Sequence, residues 1–323
     1  MKAAIQHRFG PPHVLATSDA LRPRIGAHEM LVEVHASPVT QGDRRLRAAD
    51  FPGISWLAGR LMFGLLRPKH RTPGTAFAGR VVEVGAGVTR FSVGDDVFGS
   101  CMHGAQAEYL AVPEDSPVAR SPRGMNYDEA AALPYGALTS VVFLRDLAAV
   151  EPGHKVLVIG AAGGVGRMAV QVAHDLGAEV TAVDSRSHDL LRSLGANHVI
   201  DHTARDFTEE SERYDAILDT TAPGVGFRRC RRALTARGRY LSLHMSFGLI
   251  VQMIFTKLVG GRRAIAGVAM GDAQLMDTVR GLAEAGAVRP VISDRYPLSG
   301  LSAAHARLES GPTPGTIMIQ VAA

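Results

Sequence analysis

The sequence predicts an α/β protein of two domains, a β-barrel or partly open β-sheet followed by a doubly wound parallel sheet. Three observations carry this. The chain has 323 residues, more than one hydrophobic core normally serves. Before Ser121 it runs in short β-rich segments punctuated by Gly and Pro, the pattern of a barrel. After Ser121 apolar strands alternate with helical stretches, the pattern of a parallel sheet covered on both faces.

The elements follow in order. MLVEVHAS, GRVVEVG, DVFG and AEYLAVP are alternating or β-branched runs bounded by turn formers. KVLVIG, EVTAVD, HVID, DAILDTT, RYLSLH and AIAGVAM are the later strands, and helical spacing such as Met168, Val172 and Leu176 fills the gaps between them. From Gly271 come an Ala/Leu-rich helix, the strand-like VRPVISDRYPL, another helix and a terminal TIMIQV strand, which return to complete the first domain. The expected domains are therefore 1–121 with 271–323, and 122–270.

Composition excludes several classes of function. The formal charge of +4 comes from 35 basic and 31 acidic side chains with no long run of one sign, so no nucleic-acid partner is expected. Cys101 and Cys230 are the only cysteines and stand in no CxxC or Cys/His cluster, which argues against a disulfide framework or zinc knuckle and for a reduced, cytoplasmic compartment. MKAAIQHRFG lacks the apolar core of a signal peptide. The greasiest segment, Phe247 to Val259, contains Gln252 and Lys257 and is too short to span a bilayer. His198 and His202 have i,i+4 spacing, but they flank a strand, where that spacing does not converge on a metal.

The stretch VLVIGAAGGVGRMAVQVAHDLGAEVTAVDSR, from Val156 to Arg186, carries the chemistry. A buried strand runs into Gly160, Gly163, Gly164 and Gly166, with Val165 among them, and the helix that follows stops at Gly177. Such glycines let the backbone turn tightly and approach a pyrophosphate, while the helix start offers free N–H groups to the anion. Asp184 ends the next strand about twenty residues on, where a carboxylate accepts hydrogen bonds from an adenosine ribose. A dinucleotide cofactor is expected, with Asp184, Ser185 and Arg186 on its adenosine side. Asp184 repels a ribose 2′-phosphate and Arg186 pairs with one. The residues point both ways, and NADP(H) is favoured slightly over NAD(H).

VLVIGAAGGVGRMAVQVAHDLGA followed by LLRSLGANHVID resembles the medium-chain dehydrogenase/reductase superfamily, specifically its zinc-independent quinone oxidoreductase branch. The resemblance continues through PGTAFAGRVVEVGAGVTRFSVGDDVFG, AEYLAVP, EAAALPYGALTSVVFL and GTIMIQV, in that order. It implies a GroES-like β-barrel domain completed by the C-terminal segment, a Rossmann domain, an active site in the cleft between them, and a homodimer. It also implies cofactor contacts. Thr139 falls near the nicotinamide, Thr220, Thr221 and Ala222 near the adenosine or ribose, and Leu243, His244, Gly267, Val268 and Ala269 along the nicotinamide half.

Many alcohol dehydrogenases of this superfamily hold a catalytic zinc with a cysteine, a histidine and a second cysteine. The matching positions here are Thr40 in SPVTQGD, Thr75 in PGTAFAG and Tyr135 in LPYGALT, and zinc takes thiolate, imidazole or carboxylate donors. No zinc is expected. The nicotinamide then does the hard chemistry and the protein holds an electron-poor, small hydrophobic acceptor against it: a quinone or an α,β-unsaturated carbonyl. Thr40 and Tyr135 are the candidate catalytic hydroxyls, with ordered water as the other proton source and Asp43 in an orienting role. The chain departs from the family at Ala76, where an acidic residue is frequent, at Thr316, where lysine is common, and in the apolar segment FPGISWLAGRLMFGLLRPKH. For that segment and for GLIVQMIFTKLVGG, completion of a core or a dimer interface is favoured over a substrate pocket or peripheral membrane contact. An enoyl-thioester reductase and a cofactor-binding protein with little turnover stand as the alternatives.

Overall fold

In the computed structural model, which describes residues 1–51, 55–269 and 271–322, the first unit is organised on one long strand. Its segments are Met1–Phe51, Trp56–Tyr135 and Gly271–Ala323. Strands β1 (Lys2–Gln6) and β2 (Leu15–Asp19) form an antiparallel pair. The long strand β3 (Glu29–Val39) pairs with β4 (Ala76–Val84), and β5 (Asp96–Ser100), β6 (Tyr109–Pro113) and β7 (Val118–Arg120) extend the sheet. The C-terminal strand Thr316–Gln320 lies antiparallel on the other side of β3, with Ile317 opposite Val39 and Gln320 opposite Ala36. Alternation puts Met30, Val32 and Val34 on one face, where they pack with Phe77, Val97 and Val112. Each such side chain contributes about 1.5–3 kcal/mol by leaving water.

Helix α1 (Gln41–Ala48) starts where β3 ends, and α2 (Ser55–Phe63) follows. In the apolar segment foreseen in the sequence, Pro52, Gly53 and Ile54 lie outside the described residues. Beyond them Trp56, Leu57, Leu61, Met62, Leu65 and Leu66 are exposed.

The second unit comprises Pro52–Ser55 and Gly136–Met270. Met270, the last residue expected in the Rossmann domain, lies outside the described residues. Its strands are β8 (Lys155–Ile159), β9 (Glu179–Val183), β10 (His198–Ile200), β11 (Tyr214–Asp219), β12 (Leu234–Ser242) and β13 (Arg263–Ala266). All are parallel, in the order β10-β9-β8-β11-β12-β13. Val156, Leu157, Val158, Ile217 and Leu218 are completely buried, so β8 and β11 read as continuous apolar runs, as central parallel strands do. The order reverses between β8 and β11, and such a reversal opens a crevice at the carboxyl ends of the two strands. Helices α3 (Gly164–Asp175) and α4 (Phe247–Val259) follow β8 and β12. The last strand is shorter than AIAGVAM suggests. It stops at Ala266, and beyond Gly267 Val268 is exposed. The fold class expected from the sequence is the one observed. No described helix is long and apolar enough to cross a membrane.

One buried cluster in the first unit links stability to pH. Arg47 and His305 are buried, and the Arg47 guanidinium donates to Glu309. Among the described residues neither ring nitrogen of His305 has a hydrogen-bond partner. Burial, helped by the charge of Arg47, holds this imidazole down to about 3 from its ordinary 6.5. The unfolded chain binds a proton here below about pH 6.5 and the folded chain does not. The neutral ring therefore contributes stability that is complete above the unfolded value and is lost as pH falls toward the folded one. Urea unfolding should show stability dropping between about pH 7 and about pH 5, by at most about 1.4 kcal/mol per pH unit from this group. The dependence should be shallower in His305→Leu. Equal slopes in the two proteins would show that His305 is not the cause.

Candidate active site

The turn after β8 has a shape that side chains would prevent. Gly160 sits at φ +72, and a Cβ there would lie 2.7 Å from Thr220 Oγ1 and 2.9 Å from Thr221 Cγ2. A Cβ on Gly166 would lie 2.3 Å from the Gly160 carbonyl oxygen and 2.7 Å from Ala161 Cα, so α3 packs backbone to backbone on the turn. Gly163 is the N-cap and makes no side-chain cap hydrogen bond. Gly163 and Gly164 are exposed, and a Cβ on Gly164 would meet nothing within 4 Å. The start of α3 is thus uncapped and open, the condition for receiving an anion. Val165 is buried beneath it. Arg167, which the sequence reading passed over, is also buried and donates to the Ala162 carbonyl at 2.6 Å. Burial holds its guanidinium down to about 10, so it still carries a positive charge beside the turn at neutral pH.

The other residues expected on the cofactor share one placement. Gly160, Asp184, Thr220, Leu243 and Gly267 each stand one residue beyond the end of β8, β9, β11, β12 and β13, at the edge where open sheets bind ligands. Asp184 Oδ1 accepts the N–H groups of Arg186 at 2.9 Å and Ser187 at 2.7 Å, folding the loop through half-buried Ser185 back on the carboxylate. The Arg186 side chain is exposed and makes no ion pair among the described residues. The hydroxyl of Thr220 donates to the Ile159 carbonyl at 2.8 Å, tying β11 to β8 across the reversal. His244 is half-buried, and its N–H donates to Ser242 Oγ at 3.1 Å. Gly267 makes only ordinary contacts, since a Cβ would meet Leu147 and Phe143 at 3.7 and 3.9 Å, so sterics do not demand glycine there. Val268 and Ala269 continue that loop, and Thr139 opens the short helix Thr139–Val141.

Asp219 is the organising residue of this edge and was not singled out from the sequence. Its buried carboxylate accepts four hydrogen bonds. Oδ1 takes the N–H and hydroxyl of Thr221 at 3.0 and 2.6 Å, and Oδ2 takes the Val225 N–H and the Tyr240 hydroxyl, each at 2.6 Å. Burial and the charge of Asp219 push the Tyr240 phenol upward. The loop through Thr220, Thr221 and Ala222 is shaped by this one side chain. The local signal was DTT, an acid followed by hydroxyls, which favours an Asx turn.

Thr40 and Tyr135 lie in the first unit. Thr40 is the N-cap of α1 and forms a capping box with Asp43. Its hydroxyl donates to Asp43 Oδ2 at 2.5 Å and accepts the Asp43 N–H at 3.1 Å. The Thr75 hydroxyl donates to Asp43 Oδ1 at 2.9 Å. Burial pushes the Asp43 carboxyl upward, against the hydrogen bonds from Thr40 and Thr75. Tyr135 follows the helix Tyr127–Leu133 and stays partly exposed. A Cβ on Gly42 would lie 3.2 Å from Tyr135 Cε2 and 3.3 Å from Thr40 Oγ1, so the ring edge and the hydroxyl flank the same glycine. Burial pushes the phenol of Tyr135 upward, with Arg45 opposing and the charge of Asp43 adding to the rise.

Gly166→Ala puts a methyl into main-chain atoms that cannot swing aside. The variant should lose about 1–3 kcal/mol of stability in urea unfolding, and nicotinamide-dinucleotide binding by fluorescence titration should weaken more than about tenfold. Unchanged binding would remove the turn from the site.

Comparison with known proteins agrees along the chain. The family model for the Alcohol dehydrogenase GroES-like domain matches residues 26–123. The Alanine dehydrogenase/PNT, C-terminal domain matches 129–224, and Zinc-binding dehydrogenase matches 194–319. A chloroplastic quinone-oxidoreductase homolog of Spinacia oleracea is 30% identical over 295 residues, which is 85% of this chain and 88% of that protein. Polyketide synthase GfsB of Streptomyces halstedii is 39% identical over 210 residues, 64% of this chain but 4% of that protein. The quinone oxidoreductase from Coxiella burnetii superposes with a TM-score of 0.85 at 28% identity, covering 100% of this chain and 99% of that one. Likeness that extends over both units, with the glycine turn at the reversal of the sheet, leads to one conclusion: the chain belongs to the quinone oxidoreductase branch of the medium-chain dehydrogenase/reductase superfamily and is an oxidoreductase that uses a nicotinamide cofactor.

Proposed function

We propose that the protein reduces a quinone or an α,β-unsaturated carbonyl with NADPH and without zinc. The observation that carries this reading is the commitment of hydroxyls where zinc-dependent relatives place ligands. Thr40 and Thr75 both donate to Asp43, and neither hydroxyl is a zinc donor. The Cys101 thiol is pushed up to about 12 by burial and by the charge of Asp43, so at neutral pH it offers no thiolate. These residues do not fit a catalytic zinc, whatever the name of one matching family model.

They do fit a dinucleotide. The uncapped start of α3, with Gly160 and Gly166 leaving space for backbone, would hold the pyrophosphate. The loop shaped by Asp219 would hold the adenosine side, and the exposed Arg186 would meet a 2′-phosphate while Asp184 is engaged by two N–H groups. When bound, the nicotinamide supplies the hydride. The chain's own part is to receive the developing oxyanion and return a proton. Thr40 has its proton held by Asp43, which leaves Tyr135 as the hydroxyl for that task. Its raised phenol stays protonated at neutral pH and acts as a hydrogen-bond donor. A second reading, an enoyl-thioester reductase, is supported by the 39% identity to a polyketide synthase.

A panel of quinones, enals and enoyl thioesters, each with NADPH and NADH, tests the reading. Turnover with quinones or enals is expected. Selective use of thioesters assigns the second reading, and cofactor binding without turnover of any acceptor assigns a binding role. Tyr135→Phe should lower kcat about a hundredfold with the Kd for NADPH unchanged, and an unchanged kcat would end its role as donor. Arg186→Ala should weaken NADPH about tenfold in fluorescence titration and leave NADH untouched; an equal effect on both would reject the phosphate contact.

A further inference from the structure

Helix α2 is anchored on one side and bare on the other. Gly59 and Phe63, four residues apart and so on one face, turn toward Phe51. The Phe63 ring stacks on the Phe51 ring at 5.7 Å, and a Cβ on Gly59 would lie 2.5 Å from Phe51 Cγ. Arg60 holds the same turn, its guanidinium over the ring of Phe9 at 5.0 Å and donating to the Leu65 carbonyl at 2.9 Å. The core completion expected from the sequence goes no further. Trp56, Leu57, Leu61, Met62, Leu65 and Leu66 are all exposed, Leu61 at 69% and Leu66 at 87%, and large apolar side chains gathered in water mark a surface that something apolar covers.

The patch runs on into a basic segment held beside it. After the helix the chain turns back, the Lys69 N–H donating to the Phe63 carbonyl at 2.8 Å and the His70 ring stacking on that of His103 at 3.6 Å. Arg67, Lys69 and Arg71 are exposed and make no ion pair among the described residues. From Phe51 to Val82 the sequence contains no Asp or Glu and five Arg or Lys. The acid just before this stretch, Asp50, is paired with Arg44 at 2.9 Å. Phe9, Phe63, His70, Met102 and His103 line one cavity of about 40 Å³, room for a water molecule and not for an organic acceptor. The inner side of the helix therefore roofs no substrate-sized hollow there.

Charge decides what covers the patch. A second copy set face to face on it would bring the same cations against each other, with no acid in the stretch to offset them. A bilayer of anionic phospholipid answers both features: its acyl boundary receives the leucines and Met62, its headgroup level suits Trp56, and its phosphates meet the cations. At nine residues the helix is about 13 Å long, enough to lie in the interface and too short to cross it. We propose that α2 and the basic segment from Arg67 to Arg71 dock the protein on an anionic phospholipid surface, with the helix lying in the plane of the interface. The proposal stands independently of the acceptor that the enzyme reduces.

Trp56 is the only tryptophan of the chain, so the patch carries its own reporter. The test is to mix the purified full chain with vesicles of phosphatidylcholine alone and of phosphatidylcholine with phosphatidylglycerol, and to read flotation and tryptophan emission together. The wild type should float with the mixed vesicles only, its emission should shift to the blue there, and raising the salt should lower the bound fraction about tenfold or more. The double variant Leu61→Ser, Leu66→Ser should stay unbound. Both residues are exposed in the folded chain, so circular dichroism and NADPH titration should match the wild type and show that the fold is kept. Arg67→Glu with Lys69→Glu should lower the bound fraction about tenfold or more while leaving the apolar side chains intact. Absence of flotation with mixed vesicles, equal flotation with both vesicle types, flotation without the blue shift, or flotation of the serine variant at the wild-type level would each overturn the proposal. A wild type that does not float and sediments as a dimer, dissociating when Leu61 and Leu66 become serine, would overturn it in favour of a second copy. A wild type that does not float, with the serine variant raising KM for apolar acceptors alone, would overturn it in favour of a patch that meets substrate.

Discussion

At Gly166, helix α3 meets the turn after β8 main chain to main chain. The position that a Gly166 Cβ would take lies 2.3 Å from the Gly160 carbonyl oxygen, closer than any side chain permits, and the rest of the binding edge follows from this contact. With the helix drawn down onto the turn, its first N–H groups stand at the carboxyl end of β8, and no side chain caps them. With Gly160 in the left-handed region, the chain leaves β8 close enough to β11 for the Thr220 hydroxyl to reach the Ile159 carbonyl. The reversal of strand order supplies the crevice, and the glycines keep it clear of side chains.

Two buried carboxylates then do comparable work in the two units. Asp219 gathers four donors from the loop after β11 and from β12, turning a flexible run of Thr, Ala, Pro and Gly into a shaped wall. Asp43 gathers Thr40 and Thr75, residues thirty-five apart in sequence, at the start of α1. A buried carboxylate is tolerated only when its lone pairs are met, and here Thr40 and Thr75 meet those of Asp43, and Thr221, Val225 and Tyr240 those of Asp219. The cost of burial is offset by these hydrogen bonds, and each hydroxyl so engaged directs its proton at the carboxylate. The Thr40 hydroxyl both donates to the Asp43 carboxylate and accepts the Asp43 N–H.

The apolar outer face of α4 belongs to a different logic. Packing within one chain needs only its inner face, and propensity does not call for phenylalanine and leucine on the outer one. They stand in an acid-free stretch, in the segment for which the sequence favours a core or a dimer interface. The exposed apolar side chains of α2 in the first unit are followed by exposed Arg67, Lys69 and Arg71 in a stretch equally free of acids, while Arg60 is turned to the Leu65 carbonyl and to the rings of Phe9 and Trp56.

The parts legible in the sequence are those governed by local rules. Strand period, helix spacing, the glycines of the turn and the placement of Asp184 depend on residues within a few turns of one another, and the fold class and the open glycine turn at the end of β8 followed from them. Tertiary structure alone decided what Asp219, Arg167 and Thr40 do, and which face of α4 packs on the sheet. Asp219 meets Tyr240 across twenty-one residues and Asp43 meets Thr75 across thirty-two. Burial, which sets whether a carboxylate or a phenylalanine is a structural or a surface group, is a property of neighbours that the chain brings together only by folding.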